Sequence, residues 1–337
     1  MICNRNKDIY GITSGLFNSA SFVSNYLNTQ GFDSKLISVI DSNSIDKEVT
    51  KFDPGVVIIE ALWVPPGKFQ ELLKIKRHAN RRWIVRVHSK APFLANESLA
   101  TKWIRDYACI ENGKIEIAPN TQEFTEQLTS AFPYGTFVFL PNIYFPNRYE
   151  HDDACKTEKE YINVGCFGAI RPMKNTYQQA LAAIEFATLE KKILHFHINS
   201  SRMEQNGENV VKNLRALFQY SEHKLIEHPW YTHKSFMKIA RTMDIGSQVS
   251  FSESFNIVTA DFVTAGVPIV ASNDIEWMPF ICKTSPTSHK KMVKKMRLLY
   301  RWKKTISFIQ KLKLKFYNIT AENIWLNVLD GPNINEC

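Results

Sequence analysis

Two carboxylates eight residues apart, Glu253 and Asp261, flank the start of a segment with helical spacing. Glu253 lies in a turn after residues 249–252, which we interpret as the end of a buried strand, and residues 257–265 have the length and apolar spacing of a helix. A helix N-terminus carries a partial positive charge and unpaired N–H groups, so it attracts phosphate oxygens. Because an ionised carboxylate accepts hydrogen bonds from sugar hydroxyls, this segment could hold a nucleotide sugar at its sugar, its diphosphate and its ribose.

The residues after this helix are those that end a helix and begin a strand. Gly266 follows the helix at the position where a left-handed residue costs least, and Pro268 precedes a strand at 269–271. The segment therefore reads as strand, acidic turn, helix, glycine turn and strand. A plainer interpretation fits the same spacing: Glu253 caps the helix and Asp261 is a surface residue.

This segment resembles the retaining glycosyltransferases of the GT-B fold, in particular the Glu-x7-Glu type that includes glycosyltransferase family 4. The run ESFN at 253–256 stands where that family usually has EGFG, and AGVPIVA at 265–271 matches its Ala-x-Gly-x-Pro-Val-Val-Ala turn. The chain departs from the pattern in two ways. Asp261 replaces the second Glu of the motif, and Ser254 and Asn256 replace two glycines.

The resemblance implies roles for these residues. Glu253 would orient the sugar of a nucleoside-diphosphate sugar, and Asp261 would bind its ribose. The turn would approach the phosphates, somewhat more tightly than in the family because Ser and Asn replace glycine; its residues are Ser254, Phe255 and Asn256. No protein nucleophile is assigned, because the resemblance implies a front-face mechanism without one.

A glycine turn with two cations, FGAIRPMKN, follows a predicted strand at 162–167. Arg171 offers a fork of donors and Lys174 a mobile charge, so this loop is a candidate diphosphate clamp. In the enzymes that the chain resembles, an Arg directly follows the Gly and a Lys precedes Gly or Asn. Lys174 fits the second element, whereas Ala169 occupies the Arg position and Arg171 lies two residues later. The alternative is a solvated basic turn.

Four further candidates come from strand ends and loops. His88 follows a strand predicted at 83–87, at the end where ligands of open α/β sheets bind, and the resemblance implies that it faces the sugar. Gly15 closes a glycine-punctuated loop before a helix and could face the diphosphate or the acceptor, although the full dinucleotide motif is absent and a plain turn would look the same. Trp230 and Tyr231 stand where the family often contacts the nucleobase, with core packing as the alternative.

Strand and helix patterns alternate along the chain, which predicts an α/β protein of doubly wound domains. With the resemblance, we expect the GT-B fold: two Rossmann-like domains facing a cleft, with C-terminal helices crossing back to the first. The expected divisions are an acceptor domain at 1–148, a nucleotide-sugar domain at 160–288 and basic helices at 289–337. The predicted strands lie at 8–11, 35–40, 56–59, 83–87, 115–118, 136–140, 162–167, 193–198, around 245, 249–252 and 269–271. The predicted helices lie at 18–28, 44–51, 67–79, 97–105, 177–188, 210–218, 233–241, 257–265, from 290 onward and at 321–329.

Composition is that of an ordinary globular protein, and 337 residues suggest about two domains. We find no apolar run near the roughly 18 residues that a membrane span needs, and polar residues at 4–8 argue against a signal peptide. The cysteines lack metal-type pairing, which indicates reduced thiols in a cytoplasmic protein. His195 and His197 lack a third ligand in the sequence, so we expect no metal and no cofactor, the nucleotide sugar being a substrate.

Positive charge is concentrated at 283–315, which holds twelve Lys and Arg and no Asp or Glu. Because the rest of the chain sums to −3, by 30 minus 33, the net charge of +9 belongs to this segment. Two partners fit: an anionic membrane surface carrying a lipid-linked acceptor, or a polyanionic acceptor such as DNA with modified bases. We favour the membrane, with a cytoplasmic protein bound peripherally; a solvated face is the alternative. One side of the segment is an apolar stripe that could dock it on the protein: Met292, Val293, Met296, Leu299 and Tyr300.

The resemblance thus implies retaining transfer of a sugar from a nucleotide donor to a hydroxyl acceptor. Two other functions remain open on the same sequence. One is a non-catalytic module of this fold that binds nucleic acid through the basic segment. The other is a nucleotide-sugar epimerase or a phosphorylase.

Overall fold

The computed structural model describes residues 1–5, 15–146 and 160–330. The chain divides into two compact units, Met1–Pro146 with Asn318–Cys337, and Asn147–Tyr317. In the described residues each unit holds one parallel sheet of six strands with helices interleaved between them. The predicted α/β fold of two doubly wound domains is therefore confirmed.

The first unit is built around a sheet whose central strands are buried on both faces. Its strands are β1 (Ile2–Arg5), β2 (Leu36–Val39), β3 (Val56–Glu60), β4 (Arg82–Val87), β5 (Ile115–Pro119) and β6 (Thr136–Phe137). Their order is β2-β1-β3-β4-β5-β6. The β-branched run of β3 is unbroken because helices cover both sides of a parallel sheet. The helices are α1 (Gly15–Thr29), α2 (Ser44–Phe52), α3 (Pro66–Lys74), α4 (Lys76–Ala79), α5 (Ala91–Leu94), α6 (Ala100–Ala108) and α7 (Gln122–Ala131).

The second unit repeats this plan. Its strands are β7 (Tyr161–Gly165), β8 (Ile193–Asn199), β9 (Lys224–His228), β10 (Ile245–Gln248), β11 (Ile269–Ser272) and β12 (Lys283–Thr284). Their order is β12-β11-β10-β7-β8-β9, so the strand order reverses between β7 and β10. The helices are α8 (Thr176–Leu189), α9 (Gly207–Phe218), α10 (His233–Arg241), α11 (Ile257–Thr264) and α12 (His289–Arg301). Gly266, with φ +77°, makes the predicted left-handed turn after α11.

Several element boundaries differ from the sequence prediction. The helix predicted at 67–79 is two helices, because Ile75 between α3 and α4 is extended. Strand β10 ends at Gln248, so residues 249–252 are a loop, in which the N–H of Phe251 bonds the Met173 carbonyl. The pattern missed two short elements, β1 and α5, and also α7, whose apolar residues are sparse. It missed the half-exposed edge strand β9 and the two-residue β12 as well. The strand predicted at 8–11 lies outside the described residues.

The C-terminal helix is one continuous element, α13 (Lys303–Leu329), where the sequence predicted a separate helix at 321–329. Its first part packs in the second unit, where the Gln310 side chain bonds both the N–H and the carbonyl of Ile269. Its end packs in the first unit, where the Trp325 indole donates to the Pro141 carbonyl at 2.7 Å. Among the described residues, no helix combines the length and the apolar composition that are needed to cross a membrane.

The burial of Trp325 leads to a stability prediction. Its ring is fully buried and lies 5.1 Å from the guanidinium of Arg86. Trp325→Ala should lower the free energy of unfolding by about 3–5 kcal/mol, because it leaves a cavity and removes one of the two donors to the Pro141 carbonyl. Urea unfolding followed by circular dichroism measures this loss. The matched control is Trp302→Ala. Because Trp302 is 61% exposed, this variant should lose less than about 0.5 kcal/mol of unfolding free energy. Equal losses in the two variants would show that burial of Trp325 does not stabilise the fold.

Candidate functional site

The strand order of the second sheet marks one place for a ligand. In open parallel sheets, ligands bind outside the carboxyl ends of the strands, where the strand order reverses. Here the reversal lies between β7 and β10. The loops that follow these two strands, at 166–175 and 249–256, are the two segments that the sequence singled out.

Lys174 and Glu253, one from each loop, form an ion pair between Nζ and Oε1. The side chains are 19% and 9% exposed respectively, so the pair is largely removed from water. The structure therefore brings together the residues predicted to bind the diphosphate and the sugar. A cation and a carboxylate so placed can separate to bind a phosphate and a sugar hydroxyl, since each group strongly favours an oppositely polarised partner.

Two buried amide side chains hold the loops together. Asn175, in the left-handed conformation, donates from Nδ2 to the Val249 carbonyl at 3.1 Å. Gln179 donates to the Lys174 carbonyl at 2.8 Å and accepts from the Val249 N–H at 2.8 Å. The backbone on both sides of the ion pair is thereby fixed. Sequence reasoning missed Gln179, although a glutamine among the apolar residues of α8 was an available signal.

Asn256 is the residue that caps α11. Its Oδ1 accepts from the Thr259 N–H at 2.9 Å, and its Nδ2 donates to Gln248 Oε1 at 3.0 Å. Its φ of +58° is left-handed, which Asn tolerates better than other non-glycine residues and which accounts for Asn where the family has Gly. Glu253 is therefore not the helix cap of the plainer interpretation.

The rest of the acidic turn is anchored by packing. The ring of Phe255 is buried against Trp277, with centroids 5.6 Å apart, and the Trp277 indole donates to the Phe255 carbonyl at 2.8 Å. The N–H of Glu253 donates to Asp274 at 3.3 Å. Ser254, between Glu253 and Phe255 in the sequence, is half-buried. Phe255 thus has a packing role, and its backbone keeps the turn in place.

Asp261 is buried, with 2% of its surface exposed, so the alternative of a surface carboxylate is wrong. Its Oδ1 pairs with His233 Nε2 at 2.7 Å. His233 opens α10 directly after the loop that holds Trp230 and Tyr231. The pair therefore ties α11 to that loop, and His233 is a site neighbour that sequence reasoning missed.

The loops after β7, β8 and β9 are joined through one side chain, Asn199. Its Oδ1 accepts from the Gly168 N–H, and its Nδ2 donates to the Pro229 carbonyl, both at 3.0 Å. Around this junction Arg171 pairs with Glu204 at 3.3 Å, and the Arg202 guanidinium lies 4.7 Å from the Trp230 ring. The Tyr231 hydroxyl lies 3.2 Å from His228. The predicted clamp and nucleobase residues thus lie on one connected group of loops.

In the first unit, His88 is bound to a carboxylate that the sequence did not reveal. Its Nε2 lies 2.5 Å from Oε2 of Glu60, the last residue of β3, and Arg86 bonds the other oxygen of Glu60 at 2.9 Å. Burial lowers the pKa of His88, although the Glu60 carboxylate acts in the opposite direction. Burial would raise the pKa of Glu60, but Arg86 and His88 outweigh it and bring that pKa to about 2. A neutral His88 donating from Nε2 keeps Nδ1 as its basic nitrogen.

The remaining first-unit candidate, Gly15, is the first residue of α1. Residues 6–14 before it lie outside the described residues, so the predicted contact of this segment with the diphosphate or the acceptor stays a prediction.

Comparisons with known proteins identify the fold. No family model matches the chain, and no curated protein matches it. Among solved structures, sucrose-phosphate synthase from Thermosynechococcus elongatus has a TM-score of 0.67 at 11% identity and covers 98% of each chain. HepE from Anabaena, in complex with UDP and glucose, has a TM-score of 0.63 at 12% identity, over 98% of this chain and 99% of its own.

A third similar structure is TarM from S. aureus, in complex with fondaparinux, α-GlcNAc-glycerol and UDP. Its TM-score is 0.61 at 12% identity, over 85% of this chain. The present chain spans 58% of the length of TarM. At these identities the similarity establishes the fold, which is the GT-B fold that the sequence predicted.

The buried Glu60 gives a prediction with a pH dependence. Glu60→Gln leaves the Arg86 guanidinium buried without a counter-charge, which should cost about 3–5 kcal/mol of unfolding free energy. Since the folded pKa of Glu60 is lowered from 4.5 to about 2, its contribution is fully present above pH 4.5. It is lost as the pH falls toward 2.

The difference between wild type and variant should therefore be largest at neutral pH and shrink in acid. Urea unfolding across a pH series measures it, with Glu126→Gln, an exposed carboxylate of α7, as the control. A difference that does not change with pH would show that Glu60 is not ionised in the folded protein.

Proposed function

We propose that this protein is a retaining glycosyltransferase, which moves a sugar from a nucleoside-diphosphate sugar to a hydroxyl acceptor. The observation that carries the proposal is the Lys174–Glu253 ion pair at the strand-order reversal of the second sheet. Two structures of the same fold, TarM and HepE, contain UDP, and HepE also contains glucose. A UDP-sugar is therefore the first donor to test.

In the proposed mechanism the donor separates the ion pair. Lys174 moves to a phosphate oxygen and stabilises the negative charge that builds on the departing diphosphate, the main electrostatic task in this reaction. Glu253, released from the lysine, accepts hydrogen bonds from the sugar hydroxyls. Arg171, in the same loop as Lys174, exchanges Glu204 for a second phosphate oxygen. The N-terminus of α11 adds its partial positive charge.

The other predicted residues have distinct places in this proposal. Asp261 binds the ribose with its orientation set by His233, and Trp230 and Tyr231 bind the nucleobase. His88, neutral and held by Glu60, faces the sugar or the positive charge that develops on it.

Retention of configuration is proposed to proceed by a front-face mechanism, with no protein nucleophile. Lys174 and Arg171 supply positive charge at the diphosphate, so we propose that no metal ion is needed. Transfer that is unchanged by EDTA would support this point, and recovery of activity only on adding Mg²⁺ would contradict it.

A panel of nucleotide sugars and nucleoside diphosphates tests the proposed function. A ligand that binds only the folded protein stabilises it by about 2.7 kcal/mol at 100 times its Kd. We expect at least one nucleoside diphosphate and its sugar to raise the melting temperature, and that sugar to be hydrolysed slowly without acceptor. No stabilisation and no hydrolysis with any member of the panel would contradict a glycosyltransferase.

Lys174→Ala gives a sharper prediction within this site. The variant should weaken binding of a nucleoside diphosphate by about 1.5–3 kcal/mol, the worth of charged hydrogen bonds, and leave binding of the free nucleoside unchanged. Calorimetry with UDP and uridine measures both losses. Lys212→Ala, an exposed lysine on α9, is the control. Equal losses for the two ligands would mean that Lys174 supports the fold and does not contact phosphate.

The acceptor side of the proposal concerns the basic segment. The predicted apolar stripe of α12 is used within the protein: Met292, Val293, Met296 and Leu299 are buried. Some of its charge is also neutralised, since Arg297 and Arg301 pair with Glu190. The remaining cations include exposed lysines on α13, at 304, 311, 313 and 315.

A second apolar row on α13 is exposed. Phe308, Leu312 and Phe316 lie at successive i, i+4 positions and are 63%, 39% and 62% exposed. Lys304, Lys311 and Lys315 run beside them. We name these six residues the basic-aromatic face.

We infer that the basic-aromatic face binds an anionic membrane surface, where a lipid-linked acceptor would be reached. Helices that lie in the membrane interface combine an apolar row with flanking lysines. A DNA contact would use the lysines but would gain nothing from exposing Leu312. The charge and the apolar row together therefore favour a membrane over DNA.

Vesicle sedimentation tests this surface. Wild type should bind phosphatidylcholine vesicles only when they contain phosphatidylserine. Phe308→Ser with Leu312→Ser should reduce binding as strongly as Lys304→Gln with Lys311→Gln, while Lys290→Gln with Lys291→Gln, exposed on α12, serves as the charge control. Two results together would contradict the membrane assignment. The affinity for duplex DNA would fall with salt at a log–log slope near 0.9 per phosphate contacted, and the Ser variant would bind DNA as tightly as the wild type.

A further inference from the structure

Four side chains of the second unit form a continuous hydrogen-bond chain that ends at the predicted nucleobase loop. Asn163 Oδ1 lies 3.2 Å from His197 Nε2, and His197 Nδ1 lies 2.8 Å from His228 Nε2. His228 Nδ1 then lies 3.2 Å from the Tyr231 hydroxyl. The chain runs across β7, β8 and β9 to the loop after β9.

The orientation of Asn163 fixes the first proton. Its Nδ2 donates to the Thr242 carbonyl at 3.1 Å, so its Oδ1, an acceptor, is the atom that faces His197. His197 must therefore carry its proton on Nε2. The opposite amide orientation would set two carbonyl oxygens against each other.

The two imidazoles are joined edge to edge. Their ring centroids are 5.1 Å apart with an interplanar angle of 16°, which is what two nearly coplanar rings have when a 2.8 Å N–H···N bond links their edges. Face-to-face rings could not make this bond in the ring plane. Since His197 Nδ1 has no proton, His228 Nε2 is the donor.

Both histidines are neutral at neutral pH. Burial lowers the pKa of His197 to about 3, an effect to which the neighbouring His228 adds, and burial also lowers the pKa of His228. A neutral His228 that carries its proton on Nε2 has an unprotonated Nδ1. The Tyr231 hydroxyl must therefore donate its proton to His228.

The Tyr231 oxygen keeps only acceptor capacity toward any other group, because its proton is committed to His228. Tyr231 lies next to the Trp230 loop, which Asn199 joins to Gly168 and the predicted diphosphate clamp. We infer that a nucleotide whose diphosphate binds at that clamp would place its base near this loop.

We propose that Tyr231 accepts a hydrogen bond from a ring N–H of the nucleobase, and so selects uracil or guanine over cytosine and adenine. The inference rests on the proposed function, since it needs a nucleoside-diphosphate donor. Uracil and guanine carry a proton on the ring nitrogen of their pairing edge, whereas cytosine and adenine have a lone pair there. A site built to accept such a proton rejects the base that lacks it, because two acceptors then face each other.

Calorimetry with UDP, GDP, CDP and ADP tests the proposal on the full chain. Wild type should bind UDP or GDP at least about 10-fold more tightly than CDP and ADP, the value of one well-made hydrogen bond. Tyr231→Phe should reduce that preference to within about 2-fold by weakening UDP or GDP alone. Tyr220→Phe, which changes a residue that is 95% exposed and lies two positions beyond α9, should change nothing.

His228→Phe tests whether His228 sets the orientation of the Tyr231 hydroxyl without itself contacting the nucleotide. It keeps the ring beside Tyr231 but removes the nitrogen that receives the proton, so the hydroxyl can turn and donate. The preference for UDP or GDP over CDP should fall while the clamp still binds the diphosphate. The melting temperature should fall as well, because the buried His197 Nδ1 loses its donor. A purely structural role would change the affinity for all four nucleotides together.

The outcomes separate this inference from the proposed function. A preference that survives Tyr231→Phe, or a wild-type preference for CDP or ADP, would overturn the role of Tyr231 and leave the glycosyltransferase proposal standing. Failure of all four nucleotides to bind would overturn both.

Discussion

The candidate site of the second unit is organised around the Lys174–Glu253 ion pair. The pair joins residues 79 positions apart, at the only place in the described second sheet where the strand order reverses. Two largely buried opposite charges are costly to remove from water, and removing one partner alone leaves the other uncompensated. A pair of this kind is weak evidence for stability, but it is well suited to exchange its partners for a ligand that carries both a phosphate and hydroxyls.

The surrounding side chains fit that interpretation. Among the described residues, they bond the backbone of the two loops and do not bond the charged groups of the pair. Gln179 and Asn175 fix the two loops, Asn256 caps α11 and Trp277 holds the carbonyl of the acidic turn. The first unit has its own buried charge group at a strand end, in which Glu60 holds His88. In both units the polar groups that could do chemistry follow parallel strands, and the apolar core lies beneath them.

Much of the fold and part of the site could be predicted from the sequence. The β-branched strand β3 and the turn at Gly266 have local causes, and a local pattern is enough to place them. Lys174 and Glu253 were found because their loops resemble a known motif. Gln179 stands out as a polar residue in an apolar helix, but its partners, like those of Glu60, depend on which strands and loops lie side by side. The same holds for the burial of Asp261: its helix is apolar nearly all round, so periodicity cannot say which face is covered.

The most direct test of the account is the turnover of Glu253→Gln with the donor that stabilises the wild type. The amide preserves size and can still accept a hydrogen bond from Lys174, whose side chain keeps 19% of its surface exposed to water. The variant should therefore fold and bind the diphosphate, although with lower stability than the wild type. The loss of a charged acceptor for the sugar should lower turnover by at least about 100-fold. Glu222→Gln, an exposed carboxylate of the same unit, should have wild-type turnover. Turnover of Glu253→Gln within a few-fold of wild type would show that the ion pair only supports the fold, and would contradict the account.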